Sequence, residues 1–347
     1  MTGFFCSEYG IYYTAVSAIS VAKKPLILYD KTLLLGPDKE SVYMLLRVCL
    51  ILISLWSSCL FARTYTLPID NSRLIGTNTQ YVVHQGDTIA SIANHYDIGF
   101  LALMAANPGV DPFLPKVGKK LLIPLQTLLP EGKQQGIVVN IAQLQLFYFR
   151  PKFHQVDVFP IGIGRIGWNT PVTTTHIAQK IPNPTWTPTE HIRQEYAMKG
   201  VILPQVVPAG ANNPLGDYAM RLGYGNGEYL IHGTNKSFGV GLRVSSGCIR
   251  LFPRNIQYLF SQAHVGMMVR IINQPVQYSR EPNGQLYLEV TRPLSQAKAD
   301  QTQAVSIPTD PKILKFLTKK GIDQQQLVKV LTQRSGYPEL VGRAVND

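Results

Sequence analysis

Apolar residues recur along this chain at two different spacings, and the changes of spacing divide it into parts. Tyr81-Val82-Val83 is a short β run, and Gly86-Asp87-Thr88 reads as a turn with Asp87 as a helix N-cap. Ile89, Ile92, Ala93 and Tyr96 follow at helical spacing. A second helical stretch, Phe100 to Ala106, stops at Asn107-Pro108-Gly109. Leu121-Leu122-Ile123 then forms a strand closed by Pro124. The order strand, helix, helix, strand predicts a small α/β module over residues 80–124. Residues 63–79 and 125–135 are polar and unpatterned, and linkers are expected there.

From Gly136 the period changes to that of strands. Runs at 137–141, 144–149 and 155–163 surround short turns. Gly162, Gly164 and Gly167 then interrupt the chain without leading into a helix, which makes a dinucleotide-binding loop a poor reading. Residues 182–216 are rich in proline and glycine, and a stretch of that length with little regular structure reads as a lid or binding loop. Tyr229–His232 and Val265–Ile272 are further strands. Many short strands with Pro/Gly turns predict a mainly β domain, barrel- or sandwich-like, over 136–273. A hairpin subdomain over 274–295 is expected to turn at Asn283-Gly284. Residues 296–347 are expected to be a tail with two short helices, opened by Asp310-Pro311 and Asp323.

The uncharged run Val48–Ala62 is short for a membrane span, which needs about 20 residues. With Arg47 before it and Ala62 at its end, it fits a secretory signal over 44–62. Residues 1–43 resemble neither a signal nor a domain and are expected to be a mis-assigned extension upstream of a true start at Met44. Cleavage after Ala62 removes Cys6, Cys49 and Cys59 and leaves Cys248 alone, so no internal disulfide is expected.

Composition narrows the partners. Charged residues are 16% of the 347, against about 25% in an average soluble protein, which excludes a coiled coil or a solvated tail protein. The net charge of +12 suits a polyanion, whether nucleic acid, anionic lipid or an acidic wall polymer. Export argues against nucleic acid. No pair of cysteines has C-x-x-C spacing and no histidines are three to five apart, so no metal site built from local ligands is expected.

Two segments carry reactive side chains: His232-Gly233-Thr234-Asn235, and Ser245-Ser246-Gly247-Cys248-Ile249-Arg250-Leu251. A thiol is mostly protonated at neutral pH, and a neighbouring imidazole can take its proton and return it to a leaving amine. Gly247 lets backbone approach a substrate closely, and the N–H groups of Gly247 and Cys248 suit an oxyanion. These residue types point to Cys–His acyl transfer. A wall-binding scaffold with a dead site, or a cysteine protease or amidase on another scaffold, are the alternatives.

The segments YVVHQGDTIASIANHY, LMAANPGV and VGKKLLIP resemble a LysM module. The resemblance implies binding of N-acetylglucosamine-containing glycans between the loops Gly86-Asp87-Thr88 and Asn107-Pro108-Gly109. The segments HGTN and SSGCIRL, with PNPTWTPT and ILPQVVPAGANNPLG, resemble the L,D-transpeptidase catalytic domain over about 136–272. That resemblance implies Cys248 as nucleophile, His232 as general acid/base, and the Gly233 carbonyl as the group orienting the imidazole. It implies substrate contacts from Ser245, Ser246, Arg250, Thr234 and Asn235, although many members have His where this chain has Ser246. No cofactor is implied. The implied partners are peptidoglycan stem peptides and glycan strands in the periplasm, with a second stem, a lipoprotein lysine or water as acyl acceptor.

Overall fold

The structure, a computed structural model, describes residues 63–292, 294, 306 and 310–345; the expected extension and signal, with Cys6, Cys49 and Cys59, lie outside them. In chain order the elements are β1 (Arg63–Thr66), β2 (Leu74–Ile75), β3 (Thr79–Val82), α1 (Ile89–His95), α2 (Phe100–Ala106), β4 (Lys120–Ile123) and β5 (Thr127–Leu128). The central part holds β6 (Gly136–Asn140), β7 (Gln145–Arg150), β8 (Gln155–Pro160), β9 (Ile163–Gly164), β10 (Thr173–Pro182), α3 (Glu190–Ala197) and β11 (Tyr218–Leu222). It continues through β12 (Leu230–His232), β13 (Phe238–Gly241), β14 (Arg243–Ser245), β15 (Ile249–Arg250), α4 (Pro253–Gln262) and β16 (Met268–Ile272). Last come β17 (Val276–Arg280), β18 (Gln285–Val290), α5 (Pro311–Leu317), α6 (Gln324–Gln333) and β19 (Glu339–Arg343).

The fold is mainly β. One sheet runs β1-β8-β7-β6-β16-β10-β11-β12-β15. Its pairs are antiparallel except β6 with β16 and β12 with β15. The long β10 pairs with β16 through residues 173–176 and with β11 through 177–182, with a bulge between Ile177 and Gln179. Such a bulge bends a strand and increases its twist, and it curls the sheet. The enclosed core contains Ile137, Val139, Leu146, Phe159, Met220, Ile231, Ile249, Leu251 and Val269, all buried. The amphipathic α4 adds Ile256 and Leu259 to it. Neither α4 nor α3 stood out in the sequence, because short helices between strands show only two or three periodic positions.

Several expectations change. The N-cap of α1 is Thr88, whose hydroxyl accepts from Ser91 N at 3.0 Å in a reciprocal capping box. Asp87 is drawn off instead by Tyr81, whose phenol donates to its Oδ2 at 2.8 Å, and by the His84 N–H at 2.7 Å. The expected linkers are built into the fold. Residues 63–66 form the sheet edge against β8 in the register Arg63↔Val158, and β2 pairs with β5. An edge strand gains mainly backbone pairing, so it needs no apolar stripe. Arg73 donates to Leu129 O from Nε at 2.9 Å and to Tyr278 O from Nη1 at 2.7 Å, tying one segment to the other and to β17. The expected hairpin and tail are one unit. β19 completes a sheet β17-β18-β19 against which α5 and α6 bury Ile313, Phe316, Leu327 and Val330. Finally, the 80–124 module does not hang free: Asp97, in the turn between α1 and α2, bonds to Arg254 and Asn255 at the start of α4.

Candidate active site

β12 and β15 lie side by side and parallel, in the register Ile231↔Ile249 and His232↔Arg250. Side chains alternate across a sheet. Ile231 and Ile249 enter the core, so His232 and Arg250 share the other face. Cys248, two residues before Arg250, is brought to the same side. Thus the register, not the sixteen-residue separation in sequence, sets the strand that follows Cys248 alongside the strand that ends at His232. The Leu251 N–H donates to the His232 carbonyl at 2.9 Å and locks the pair of strands just past the site.

His232 is buried, and its Nδ1 lies 2.6 Å from the Gly233 carbonyl oxygen. A carbonyl only accepts, so Nδ1 carries the proton and Nε2 is the basic nitrogen. Burial pushes the imidazole down to about 3, and the Arg250 guanidinium adds to this against the favourable Gly233 and Leu215 carbonyls. Burial also pushes the Cys248 thiol up, against a backbone bond at Leu230 and the attraction of Arg250. The resting pair is therefore neutral thiol and neutral imidazole. Sγ donates to the Glu228 carbonyl at 3.5 Å rather than to the ring.

Gly247 has φ +105, a conformation L side chains rarely adopt, and a Cβ there would lie 3.0 Å from Tyr229 Cε1. Ser245 Oγ donates to the Cys248 carbonyl at 2.6 Å, fixing the turn on which the thiol sits. Thr170, which no motif in the sequence singles out, accepts from Gly164 N at 3.0 Å and donates to the Gly247 carbonyl at 2.9 Å. That contact spans 77 residues of chain. Ser246 and Arg250 are half-buried beside the thiol, and Arg250 Nε is buried without a hydrogen-bond partner. Thr234 spends its hydroxyl on the Lys236 backbone and holds a turn. Asn235 is exposed and donates to Ala211 O at 3.2 Å, linking the strand end to the 182–216 segment.

That segment is ordered by Asn213, whose buried amide donates to Pro184 O at 2.7 Å and Pro208 O at 3.2 Å. Its helix α3 is latched to the loop after β9. Arg165 pairs with Glu195, which also pairs with Lys199, and Trp168 stacks on His191. These two cations hold the Glu195 carboxyl down at about 2. A cavity of about 220 Å³ lies behind Thr170, lined by Ile141, Ile163, Gly164, Asn169 and Arg243 among others; neither Cys248 nor His232 lines it.

In the 80–124 module, Gly86, Pro108 and Gly109 are exposed on neighbouring loops. Asn107 is turned inward. Its amide donates to Leu103 O and Leu122 O and accepts from Leu122 N, so it holds the loop in place and presents no free polar group.

Residues 134–271 match the L,D-transpeptidase catalytic domain, 275–341 the L,D-transpeptidase C-terminal domain, and 81–124 the LysM domain. "Probable L,D-transpeptidase YcfS" of Escherichia coli K12 is 48% identical over 81% of this chain and 89% of its own length. The chain belongs to the L,D-transpeptidase family. "Probable L,D-transpeptidase ErfK/SrfK" of the same organism is 45% identical over 80% of this chain and 90% of its own. A solved L,D-transpeptidase of Enterococcus faecium aligns with 40% of this chain and 50% of its own, at 19% identity and a TM-score of 0.32. A transferase that works on the cell wall is thus the coarse assignment, and the C-terminal unit is a family domain rather than an appendage.

Proposed function

We propose that this L,D-transpeptidase acts on peptidoglycan stem peptides with Cys248 as nucleophile and His232 as its acid–base partner. The observation supporting this is the parallel register of β12 and β15, which pairs His232 with Arg250, two residues past Cys248, with Nδ1 already committed to Gly233. The thiol proton passes to Nε2 as sulfur bonds to the carbonyl carbon at the L-centre of meso-diaminopimelate. The oxyanion is received by backbone N–H groups around Gly247 and Cys248. Collapse of the tetrahedral species breaks the bond to D-Ala, whose departing amine takes the proton back from Nε2. An amine then opens the thioester. A second diaminopimelate gives a 3–3 cross-link, a lipoprotein lysine tethers that protein to the wall, and water gives carboxypeptidation.

Arg250, close to both reacting groups and incompletely bonded, suits a substrate carboxylate. Ser245 and Thr170 hold the turn, while Ser246 lies beside it. The loops at Gly86-Asp87-Thr88 and Pro108-Gly109 are the glycan-facing part of the LysM domain, with Asn107 as their internal brace. The site of action is the periplasm, reached by the 44–62 signal. Incubation with tetrapeptide stems is expected to give an acyl-enzyme whose mass gain is the stem less D-Ala. Cys248→Ala is expected to give none; a persisting adduct would move the nucleophile elsewhere. Muropeptide analysis of treated walls identifies the acceptor.

A further inference from the structure

The two LysM helices run between the glycan-facing loops and the catalytic domain. α1 starts from Thr88 and ends at His95; α2 starts at Phe100 and ends beside Asn107. Both loops therefore lie at one end of the helices, and the turn of residues 94–100 lies at the other. This turn is what meets the catalytic domain. Asp97, in left-handed backbone at φ 56 and buried, accepts through Oδ1 from Arg254 Nη2 at 3.0 Å and from Asn255 Nδ2 at 2.7 Å. Arg254 also donates from Nη1 to Asn94 Oδ1 at 2.7 Å, and Asn255 is itself buried. Beside them the backbones touch. A Cβ on Gly241 would fall 2.2 Å from Phe100 N, and the Phe100 and Phe238 rings meet edge to face at 6.5 Å.

The catalytic segments held here are not arbitrary. β13, with Phe238 and Gly241, lies in the connection from His232 to Cys248. Arg254 and Asn255 open α4, which follows Cys248 through Ile249–Phe252. Leu251 in that stretch donates to the His232 carbonyl. A short covalent and hydrogen-bonded path thus runs from Asp97 to both strand ends that carry the pair. Glycan binding by the module requires none of this, and a tether would need only the two flanking segments.

We propose that Asp97 is a positioning residue for acyl transfer, and that the α1–α2 turn of the LysM domain is a fixed buttress of the catalytic site, independent of the glycan the domain binds. The proposal rests on the reading of Cys248 and His232 as the acyl-transfer pair. Groups supporting a catalytic constellation must hold it closely, and a misplacement of about 1 Å costs about 10²-fold in rate.

The test uses the full chain with a soluble tetrapeptide stem that carries no glycan. The single-turnover acylation rate constant in Asp97→Ala is expected to fall about 10- to 100-fold. KM for the stem, one adduct per chain at completion, and sedimentation with insoluble peptidoglycan are expected to stay as in the parent. Asp97→Asn keeps both the acceptor oxygen and a residue at ease in left-handed backbone, and is expected to restore the rate. Gly241→Ala, which wedges the joint from the other side, is expected to reproduce the loss. Parent rate constants in both Asp97→Ala and Gly241→Ala would overturn the proposal. A lower end-point with an unchanged rate constant would also overturn it, since that is loss of folded chains. If the parent chain forms no acyl-enzyme at all, the transpeptidase reading fails separately. The rate of Cys248 alkylation by iodoacetamide then reads the joint directly, and equal rates in the parent and Asp97→Ala would refute it.

Discussion

Whether the thiol rests as thiolate can be tested by its reactivity across pH. In an ion pair, an imidazolium holds the thiolate, and reactivity stays flat between the two pKa values. Here burial places the imidazole at about 3, so at pH 7 its protonated fraction is about 10⁻⁴. The thiol is pushed above its ordinary 9.0, which leaves less than about 1% thiolate at pH 7. The rate of alkylation by iodoacetamide should therefore climb about tenfold per pH unit from 5 to 8, with no plateau. His232→Ala should change that curve little, because the imidazole carries no charge to withdraw. The same variant should lose about 10²–10⁴-fold in acyl transfer, where Nε2 must accept the proton. Arg250→Gln should move the curve to higher pH, because the guanidinium favours the thiolate. Intact-mass kinetics at half-unit steps of pH, about seven points, is sufficient. A flat rate between pH 5 and 8, or an alkylation loss in His232→Ala as large as the loss in acyl transfer, would refute the neutral pair.

Other expectations follow from single contacts. Gly247→Ala forces a side chain into φ +105 and against Tyr229, and should cost about 1–3 kcal/mol by urea unfolding along with most of the acylation rate. Carbapenems, by family resemblance, should add one drug mass per chain at Cys248, lost in Cys248→Ala and blocked by prior thiol alkylation. Two buried groups should oppose each other in stability against pH. Glu289, among Leu128 N, Gln143 and Thr127, is raised to about 7, so its folded form holds a proton and stability falls by about 1.36 kcal/mol per unit as pH rises from 4.5 to 7. His232, lowered to about 3, contributes the opposite slope from pH 3 to 6.5. The two cancel between 4.5 and 6.5, so urea midpoints should be level there in the parent; His232→Ala should expose the falling slope, and a level line in that variant would contradict the assignment.

The reactive pair was legible because its chemistry is carried by residue type: a thiol and an imidazole, each beside a glycine in a motif with few other readings. What brings them together was not, since a parallel register depends on the backbone of β12 and β15 and leaves no periodicity in the chain. Thr170 and Asn213 show the same limit. Each acts by bonding backbone far along the sequence, and a threonine before a proline or an asparagine in a turn has ample local reasons to be there. The error at Asp87 has a different origin. Asp87 and Thr88 both carry a cap-forming oxygen, and the Tyr81 phenol, from the preceding strand, settles which one the helix receives.

The segments expected to be linkers make the general point most clearly. Residues 63–79 and 125–135 carry only scattered apolar positions, and Leu67, Ile75 and Leu129 among them are buried against β6, β7 and β8 with no periodic stripe to announce them. Their order comes from these few apolar anchors, from pairing with β8 and with each other, and from Arg73. A periodic pattern needs several apolar positions in register, so it is silent about segments that enter a core through one or two residues. The turn at Asp97 is of the same kind. It is short, sends Ile98 into the core of its own module and ends at Gly99, yet Arg254 and Asn255 hold it against the catalytic domain. In a chain assembled from separable-looking domains, the joints are made of such segments, and it is at the joints that a binding domain can become part of an active site.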